Sequence, residues 1–356
     1  MSVNGAEREM DVASVPLRWV GPVKITGNVV DELVEIPLAT YESPLWPSVA
    51  RGAKVTRRCD RGVVATLVDE RMTRSVLLEA DDAGTALAAV RRLGDSMGEL
   101  RRMVSACSRY AELLEIHHQI AGNLLFVRFE FSTGDASGHN MATLAADALL
   151  AYMVREFPGV RYESVSGNFC TDKKASAVNG ILGRGKNVVT ELLVPRAVME
   201  HDLHTTARRV AALNVRKNLI GTSLAGGIRT ANAHYANMLL AVYLATGQDA
   251  ANIVEGSQGI THAEDRDGDL YFSCTLPNII VGTVGNGKGL DFAAANLARL
   301  GCREDRRAGE NARRLAVVTA AAVLCGELSL MAAQTNSGEL MRTHLTFERS
   351  PSDGEN

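Results

Sequence analysis

The segment 166–174 (SGNFCTDKK) has residue types suited to carbonyl chemistry, because two adjacent lysines follow an aspartate between apolar flanks. An ammonium held against a carboxylate where water is excluded attracts a carbonyl oxygen strongly, since its charge is screened less there. Lys173 and Lys174, after Asp172, are therefore candidate electrophiles. The alternative interpretation is a solvated lysine pair on a surface loop.

A lysine in this role needs a partner carboxylate, and two stand in apolar surroundings. Glu42 ends the segment 38–42 (LATYE), and Asp249 lies in 247–252 (GQDAAN). Carboxylates in such places also serve as helix caps or as satisfied core groups. The residues alone leave both interpretations open.

Two glycine-rich turns could hold a phosphate. The first contains Gly134 and Gly138 and precedes a helical pattern, and the second is 282–289 (GTVGNGKG). Backbone N–H groups at a helix N-terminus bind phosphate oxygens where glycine permits a close approach. Neither turn has the GxGxxG fingerprint, and glycine beside an aspartate cap also serves turn geometry alone.

The histidines and cysteines predict no metal site. The eight histidines show no HxxxH spacing, and the six cysteines form no CxxC pair, which fits a reducing compartment. We predict exposed positions for His117 and His118 in a helical run, and for His201 and His204 at a helix start.

The elements that must position these residues follow from periodicity. Residues 124–131 (LLFVRFEF) alternate, which predicts a strand with one buried face and with Arg128 and Glu130 on the other face. The next segment predicts a helix that ends at Pro158 and whose apolar side contains Met141, Leu144, Ala145, Ala148 and Tyr152. Helical patterns also cover 83–108, 232–247 and 315–344, and 350–356 has the composition of a frayed tail.

The composition excludes several classes of protein. With 356 residues, 46% of them hydrophobic and 22% charged, the chain is globular and long enough for two domains. Its net charge of −3 gives no basic field for nucleic acid or an anionic membrane. The apolar run 315–325 is shorter than the roughly 20 residues of a membrane helix, and residues 1–10 show no signal peptide. We therefore expect a soluble, cytoplasmic protein.

Six ordered blocks resemble the 3-hydroxy-3-methylglutaryl-coenzyme A (HMG-CoA) reductase family over roughly residues 15–350. They are SGNFCTDKKASAVNGILGRGK (166–186), KNLIGTSLAGGIRTANAHYAN (217–237), ATGQDAAN (245–252), GTVGNGKGL (282–290), GENARRLA (309–316) and CGELSLMAA (325–333). The CTDKK form of the lysine loop looks like the family's first class, which generally uses NADPH.

This resemblance implies that HMG-CoA is reduced through two hydride transfers to mevalonate and free coenzyme A. The implied catalytic set is Glu42, Lys173, Asp249 and His344. Lys173 would stabilise the oxygen that gains charge, with Asp249 bonded to it and close to Glu42. Glu42 would give a proton to the aldehyde oxygen, and His344 would protonate the departing thiolate.

The resemblance also implies the binding residues. The substrate set is Ser48 and Arg51 for the coenzyme A portion and Arg74, Ser166, Asp172, Lys174, Lys217 and Asn237 for the carboxylate region. The cofactor set is Ser108, Arg109, Tyr110, Asp135, Ser137, Gly138, His139, Asn140, Val284, Gly285, Asn286 and Gly287. Arg109 is the candidate for the adenosine 2′-phosphate, which favours NADPH over NADH, and no metal is implied.

The implied fold is α/β (α+β), a large helical α/β domain around a central helix with an inserted ferredoxin-like cofactor-binding domain. Its domains would be 1–74 with 166–349, and 75–165. Two chains would share each active site, in a homodimer or a dimer of dimers. Several positions depart from the family: the ENVIG stretch near the start is absent, and the residues around Glu42 are Tyr41, Ser43, Pro44, Trp46 and Pro47. A reductase of a related acyl-CoA and a non-catalytic homologue therefore stay as alternatives, and regulation at Ser350 is not carried over.

Overall fold

The computed structural model describes residues 12–348, without the side chains at 343, 344 and 346–348. The predicted tail and Ser350 lie outside the described residues.

Ten strands form the β-structure of the described chain. They are β1 Leu17–Gly27, β2 Glu32–Ala39, β3 Val63–Ala80, β4 Glu112–Ala121, β5 Leu124–Ser132, β6 Val160–Ser164, β7 Gly185–Val194, β8 Thr230–Ala231, β9 Gly259–Arg266 and β10 Asp269–Ile279.

Thirteen α-helices accompany these strands in residues 12–348. They are α1 Leu45–Arg58, α2 Ala83–Asp95, α3 Met97–Cys107, α4 His139–Glu156, α5 Ala177–Leu182, α6 Arg196–Asp202, α7 Ala207–Leu213, α8 Thr222–Leu224, α9 Tyr235–Ala245, α10 Ile253–Gly256, α11 Asp291–Arg299, α12 Glu310–Gln334 and α13 Glu339–Glu348. A π-helical segment, Asn214–Gly221, joins α7 to α8.

The long strand β3 belongs to two groups of strands. Its first part, from Val64 to Arg71, pairs with β7 in the order β2-β1-β3-β7-β10-β9-β8. From Met72 onward it pairs with β5, which also pairs with β4, while β6 lies on the other edge of β3. The mixed α/β fold class is thus as expected. The predicted domain boundaries at 75 and 165 stay a prediction.

Each group of strands has its own hydrophobic core. In the larger core, helices α1, α9 and α12 pack against the strands of the β2-β1-β3-β7-β10-β9-β8 group. Phe272 and Leu324 are among its fully buried residues. The smaller core packs α2, α3 and α4 against β3–β5, with Val76 and Phe129 buried. Each core is a continuous layer of apolar side chains. Such a layer forms because the apolar side of each helix must be buried against the apolar face of a sheet.

Helix α12 is the central helix of the larger core. An 18-residue window of it has a mean hydropathy of 2.0, and its length and composition would suffice for a membrane span. However, 94% of that window is buried inside the protein. The apolar run 315–325 that the sequence shows is only part of this helix. The helix continues through Glu327 and Ser329, two polar residues that find hydrogen-bond partners inside the core. Gly52 of α1 permits close packing, since a Cβ there would lie 2.1 Å from the Cys325 carbonyl oxygen.

The predicted strand 124–131 is confirmed as β5, but its second face is not exposed. Arg128 and Glu130 are both fully buried, and their side chains bond at 2.9 Å. Arg128 also donates to Asn179 and to the Gly183 carbonyl, which lie in the chain after the lysine loop. Alternation located the strand but could not show that a second layer covers its polar face.

Several helix predictions need correction. His117 and His118 lie in β4, not in a helix, because the turn at Gly122 and Asn123 joins β4 and β5 as a hairpin. The segment 83–108 is two helices that meet at Ser96. The helices after Gly138 and Asn232 are confirmed as α4 and α9.

Two details of these helices also differ from expectation. Leu144 of α4 is 57% exposed, while Leu149 and Met153 are buried instead. His201 lies in the last turn of α6, which ends at Asp202, and His204 follows the helix with a φ of 53°.

Candidate active site

The structure brings Lys173 and Asp249 together across 76 residues of chain. Lys173 Nζ lies 2.8 Å from Asp249 Oδ2. The hydrogen bond to Asp249 raises the pKa of Lys173 above its usual value. Burial alone would raise the pKa of Asp249, but the bonds from Lys173 and from the Ala251 N–H outweigh burial and lower it. Both groups are therefore charged at neutral pH.

The loop that carries Lys173 has an unusual backbone. Asn168, Thr171 and Lys173 have φ values of 57°, 44° and 56°, in the left-handed region that non-glycine residues rarely adopt. Such strain persists only where the surroundings hold it in place. Here the Lys173 N–H donates to Glu255 Oε1 at 3.1 Å, and Glu255 is fully buried.

Arg184, which is fully buried, fixes this loop to its neighbours. It donates to Asp172 Oδ1 at 2.6 Å, to the Thr73 carbonyl at 2.8 Å and to Glu255 Oε1 at 3.4 Å. Burial would raise the pKa of Asp172, but the charge and hydrogen bond of Arg184, together with other nearby positive charges such as Arg74, outweigh burial and lower that pKa. Asp172 is thus held as an anion by Arg184.

The lysine loop borders a cavity of about 700 Å³ between the two glycine-rich turns. The turns lie side by side, because Ala136 pairs with Val284 and the Thr283 N–H donates to the Asp135 carbonyl at 2.8 Å. Of the residues predicted for substrate or cofactor, the cavity is lined by Arg74, Asp172, Ser137, Gly138, His139, Asn140, Val284, Gly285, Asn286 and Gly287. Neither the composition of the two turns nor their spacing in the sequence indicates that they lie side by side.

Two members of the first turn have structural tasks. The Asp135 carboxylate accepts from the N–H groups of Gly309 and Ala312, at 3.0 and 2.9 Å, and so caps α12. Gly138 has a φ of 91°, and a Cβ there would lie 2.5 Å from Thr133 Cγ2. Asp135 is therefore occupied by the helix, and Gly138 is required by packing within the turn.

His139 stands in the same cavity as a neutral imidazole. Burial and then the nearby Arg184 charge lower its pKa to about 4. Its Nε2 atom is buried without a hydrogen-bond partner in the described structure and lies 3.8 Å from Asp172 Oδ1.

The predicted adenosine-phosphate residues lie next to the first turn. Ser108 follows α3, and the Arg109 guanidinium stacks 4.6 Å from the centre of the Tyr110 ring. A Cβ at Gly134 would lie 3.8 Å from Tyr110, so this segment adjoins the turn. It does not line the 700 Å³ cavity itself.

Glu42 lines a different cavity, of about 220 Å³, together with Ser48, Arg51 and His234. Its carboxylate accepts a hydrogen bond from Asn237. Ser48 donates to Ser329 of α12, and Arg51 forms a 2.6 Å ion pair with Glu339. Of the residues around Glu42 that depart from the family, Pro44 and Pro47 line this cavity, whereas Tyr41 and Trp46 do not.

Within one chain, Glu42 and Asp249 line different cavities, and their predicted proximity stays a prediction. Asp135, beside the larger cavity, caps α12 at Ala312, whereas Glu327 of the same helix bonds His234 in the smaller cavity. The 15 residues between Ala312 and Glu327 correspond to about 22 Å along the helix. The two cavities thus lie near different ends of α12.

Lys217 belongs to the smaller cavity's surroundings. Burial lowers its pKa, and the Glu327 charge opposes that shift. Glu327 is fully buried; burial would raise its pKa, but bonds from His234, at 3.0 Å, and from Ala233 and Thr261 lower it. The predicted substrate set is accordingly divided, with Arg74 and Asp172 at one cavity and Lys217 and Asn237 at the other.

The remaining predicted residues are exposed or lack a described side chain. Ser166 and Lys174 are exposed, and Lys174 donates to the Asp172 carbonyl at 3.1 Å. His344 lies in α13, and its side chain lies outside the described part of the structure.

Sequence reasoning gave no role to Arg184, His234, Glu255, Lys288 and Glu327. Arg184 and Lys288 each stand between two glycines, GRG and GKG, where a long basic residue is a signal in itself. Glu255 and Glu327 lie in apolar helical runs, and a lone carboxylate there indicates a buried partner.

A group of possible metal ligands lies in the described β4–β5 hairpin. Glu115, His117 and Glu130 have ligand atoms within 4.8 Å of one another. However, Arg71 bonds both glutamates, and Arg128 bonds Glu130. These two guanidinium groups already neutralise the carboxylates.

Comparison with known proteins gives consistent matches along the chain. A family model described as hydroxymethylglutaryl-coenzyme A reductase matches residues 6–349. The 3-hydroxy-3-methylglutaryl-coenzyme A reductase of Pyrococcus horikoshii is 43% identical over 96% of this chain and 83% of its own length. That of Methanothermobacter thermautotrophicus is 41% identical over 96% of this chain and 85% of its own.

The fold also matches solved structures. A class II 3-hydroxy-3-methylglutaryl-CoA reductase from Streptococcus pneumoniae, bound to NADPH, superposes with a TM-score of 0.74 at 19% identity. The match covers 93% of this chain and 88% of that protein.

Proposed function

The chain belongs to the hydroxymethylglutaryl-coenzyme A reductase family, and we propose that Lys173 and Asp249 are the charged centre at which it reduces HMG-CoA to mevalonate and coenzyme A. The observation that carries this assignment is their 2.8 Å ion pair at the edge of a 700 Å³ cavity. A cation held in place by a carboxylate stabilises negative charge on a substrate oxygen without reorganising.

NADPH is the reductant that fits the larger cavity. Two glycine-rich turns meet there, and Arg74 and Lys288 supply positive charge without an ion-paired carboxylate in residues 12–348. Two NADPH molecules, bound one after the other, would each supply one of the two hydrides that convert the thioester to the alcohol. The residues that would hold it are Ser137 to Asn140, Val284 to Gly287 and the exposed Arg109.

The chain's own groups would then manage charge and protons. Lys173 would stabilise the thioester oxygen as it becomes negative, and Asp249 would keep that lysine charged. His344 would protonate the departing thiolate of coenzyme A. Glu42, whose carboxylate already accepts a bond from Asn237, would donate a proton to the aldehyde oxygen in the second reduction. No metal is needed for any of these steps.

The separation of the two cavities supports an active site shared between chains. If the smaller cavity of one subunit faces the larger cavity of its partner, Glu42 and Lys173 meet across the interface. The proposed assembly is a homodimer or a dimer of dimers in the cytoplasm, with neither nucleic acid nor membrane as a partner.

The test is NADPH consumption by the purified protein with HMG-CoA, followed by the loss of NADPH absorbance. We expect HMG-CoA-dependent oxidation of two NADPH per mevalonate formed, and Lys173→Ala should abolish turnover while the far-UV circular dichroism is retained. A folded wild-type protein without thioester-dependent oxidation would overturn the proposal. Parallel assays with other acyl-CoA thioesters test the related-substrate alternative, since Pro44 and Pro47 line the Glu42 cavity.

A further inference from the structure

Two cations that line the larger cavity form no ion pair within the described residues. Lys173 pairs with Asp249, and Asp172 pairs with Arg184. Arg74 and Lys288 also line this cavity, and neither forms an ion pair or a side-chain hydrogen bond with any residue between 12 and 348. An unpaired charge that is shielded from water is costly, so these two positions favour the binding of anions.

Lys288 is the more deeply placed of the two. Only 4% of the residue is exposed, and burial lowers its pKa, with the Asp249 charge opposing that shift. The second glycine-rich turn holds its backbone, because the Lys288 N–H donates to the Gly285 carbonyl at 3.2 Å. A Cβ at Gly287 would lie 2.4 Å from the Gly247 carbonyl oxygen, which leaves this turn little room to move.

The surroundings of the two cations select different anions. Arg74 lies on β3 next to Thr73, and its charge lowers the pKa of Asp172, so it stands on the side of the lysine loop. A planar guanidinium there suits a carboxylate. Lys288 belongs to the turn that pairs with Ala136, immediately before the N-terminus of the 18-residue helix α4. Backbone N–H groups at a helix N-terminus together with a lysine suit a phosphate.

On these grounds we propose that Lys288 binds a phosphate oxygen of the nicotinamide dinucleotide, opposite the N-terminus of α4. The inference rests on the proposed function and adds a binding residue to it. Lys288 would therefore bind the dinucleotide, whereas Arg74 would bind the carboxylate of the substrate.

The experiment measures dinucleotide binding without turnover. The intact protein is titrated with NADPH and, separately, with NADH in the absence of HMG-CoA, and the nicotinamide fluorescence is followed for the wild type, Lys288→Met and Lys288→Arg. A lost charge-assisted bond predicts about 10- to 100-fold weaker binding by Lys288→Met. Lys288→Arg keeps the charge and should stay within a few-fold of the wild type. The matched control is Lys54→Met, on α1 and paired with Asp202, which should bind as the wild type does.

The two dinucleotides distinguish the phosphate that Lys288 contacts. Equal losses for NADPH and NADH identify the pyrophosphate, and a loss for NADPH alone identifies the 2′-phosphate; either result supports the inference. Unchanged binding of both by a Lys288→Met protein with wild-type thermal unfolding would overturn it. A Lys288→Met enzyme in which only the KM for HMG-CoA rises, with dinucleotide binding unchanged, would also overturn it. If Lys288→Met is unfolded, Lys288→Gln is titrated by the same criteria. A wild-type protein that binds NADPH but does not reduce HMG-CoA would contradict the proposed function and leave this inference intact.

Discussion

The Lys173–Asp249 pair is half exposed, with side-chain exposures of 41% and 45%. Exposed ion pairs contribute little to folding stability. Their geometry here instead determines where a positive charge points, because Asp249 is itself fixed by the Ala251 N–H at 3.1 Å. The pair therefore matters for chemistry at the cavity more than for the fold.

Asp249→Asn should change the pH dependence of turnover. Asp249 raises the pKa of Lys173 in the wild type, so its removal lowers that pKa and the lysine loses its proton at lower pH. In the proposed mechanism the charged lysine is the active form, so the alkaline limb of the kcat/KM profile should move to lower pH, together with a fall in kcat.

The control for this change is Asp291→Asn, an exposed carboxylate at the start of α11. It should leave both limbs of the profile in place. An Asp249→Asn enzyme with the wild-type alkaline limb would show that Asp249 does not sustain the lysine charge.

Sequence patterns identified the residues that line the larger cavity better than the residues that hold them in place. The residue types in CTDKK and GQD predict a charged site, although by themselves they leave a solvated lysine pair and a capping aspartate open. Arg184 and Glu255 support the loop from positions 71 residues apart, and His234 and Glu327 bond across 93. No local pattern reveals such a partnership, because the fold alone brings the two segments together.

At the scale of elements, the strained lysine loop depends on Glu255 of α10. Glu255 Oε1 accepts from the Lys173 N–H, from Asn252 at 3.0 Å and from Arg184, while Oε2 is buried without a partner in the described structure. Burial raises the pKa of Glu255. A single buried oxygen thus joins the loop, the turn after Asp249 and Arg184.

Glu255→Gln should therefore lower kcat more than it changes either KM. The amide keeps one acceptor but loses the charge opposite Arg184, and its NH₂ group would be buried without an acceptor. A shift of about 1 Å at Lys173 would lower kcat on the order of 100-fold.

The measurements are steady-state kinetics with both substrates varied and thermal unfolding. Glu264→Gln, on the exposed part of β9, is the matched control. Equal losses in kcat and in dinucleotide affinity, or a lower unfolding temperature with unchanged kcat, would assign Glu255 a purely structural role.

The strands and helices could be predicted from the sequence where only one of their faces is buried. Strand β5 and helices α4 and α9 follow from periodicity, because each buries one clear apolar face. The exceptions have physical causes. Arg128 and Glu130 are buried by a second layer, and His117 and His118 stand in an edge strand whose alternation is weak.

At the scale of the whole molecule, α12 connects both cavities. Asp135 of the first glycine-rich turn caps its N-terminus, while Glu327 and Ser329 near its other end hold His234 and Arg51. The helix therefore separates these two sets of contacts by the 15 residues from Ala312 to Glu327, or about 22 Å along its axis. Periodicity indicated this helix, but the placement of a cavity near each of its ends depends on the tertiary structure.

A shared active site predicts a specific pattern of activity in heterodimers purified through two different affinity tags. A heterodimer of Glu42→Gln and Lys173→Ala chains would contain one site with both groups intact and one with neither, so it should show about half of the wild-type turnover per dimer, although each parent homodimer is inactive. A heterodimer of the wild type with the Glu42→Gln/Lys173→Ala double variant should be inactive, because each of its sites lacks one group. Sites contained within single chains would reverse both results, since the first heterodimer would then be inactive and the second half-active. The pair of heterodimers thus measures directly whether Glu42 and Lys173, which line different cavities in one chain, meet across the interface.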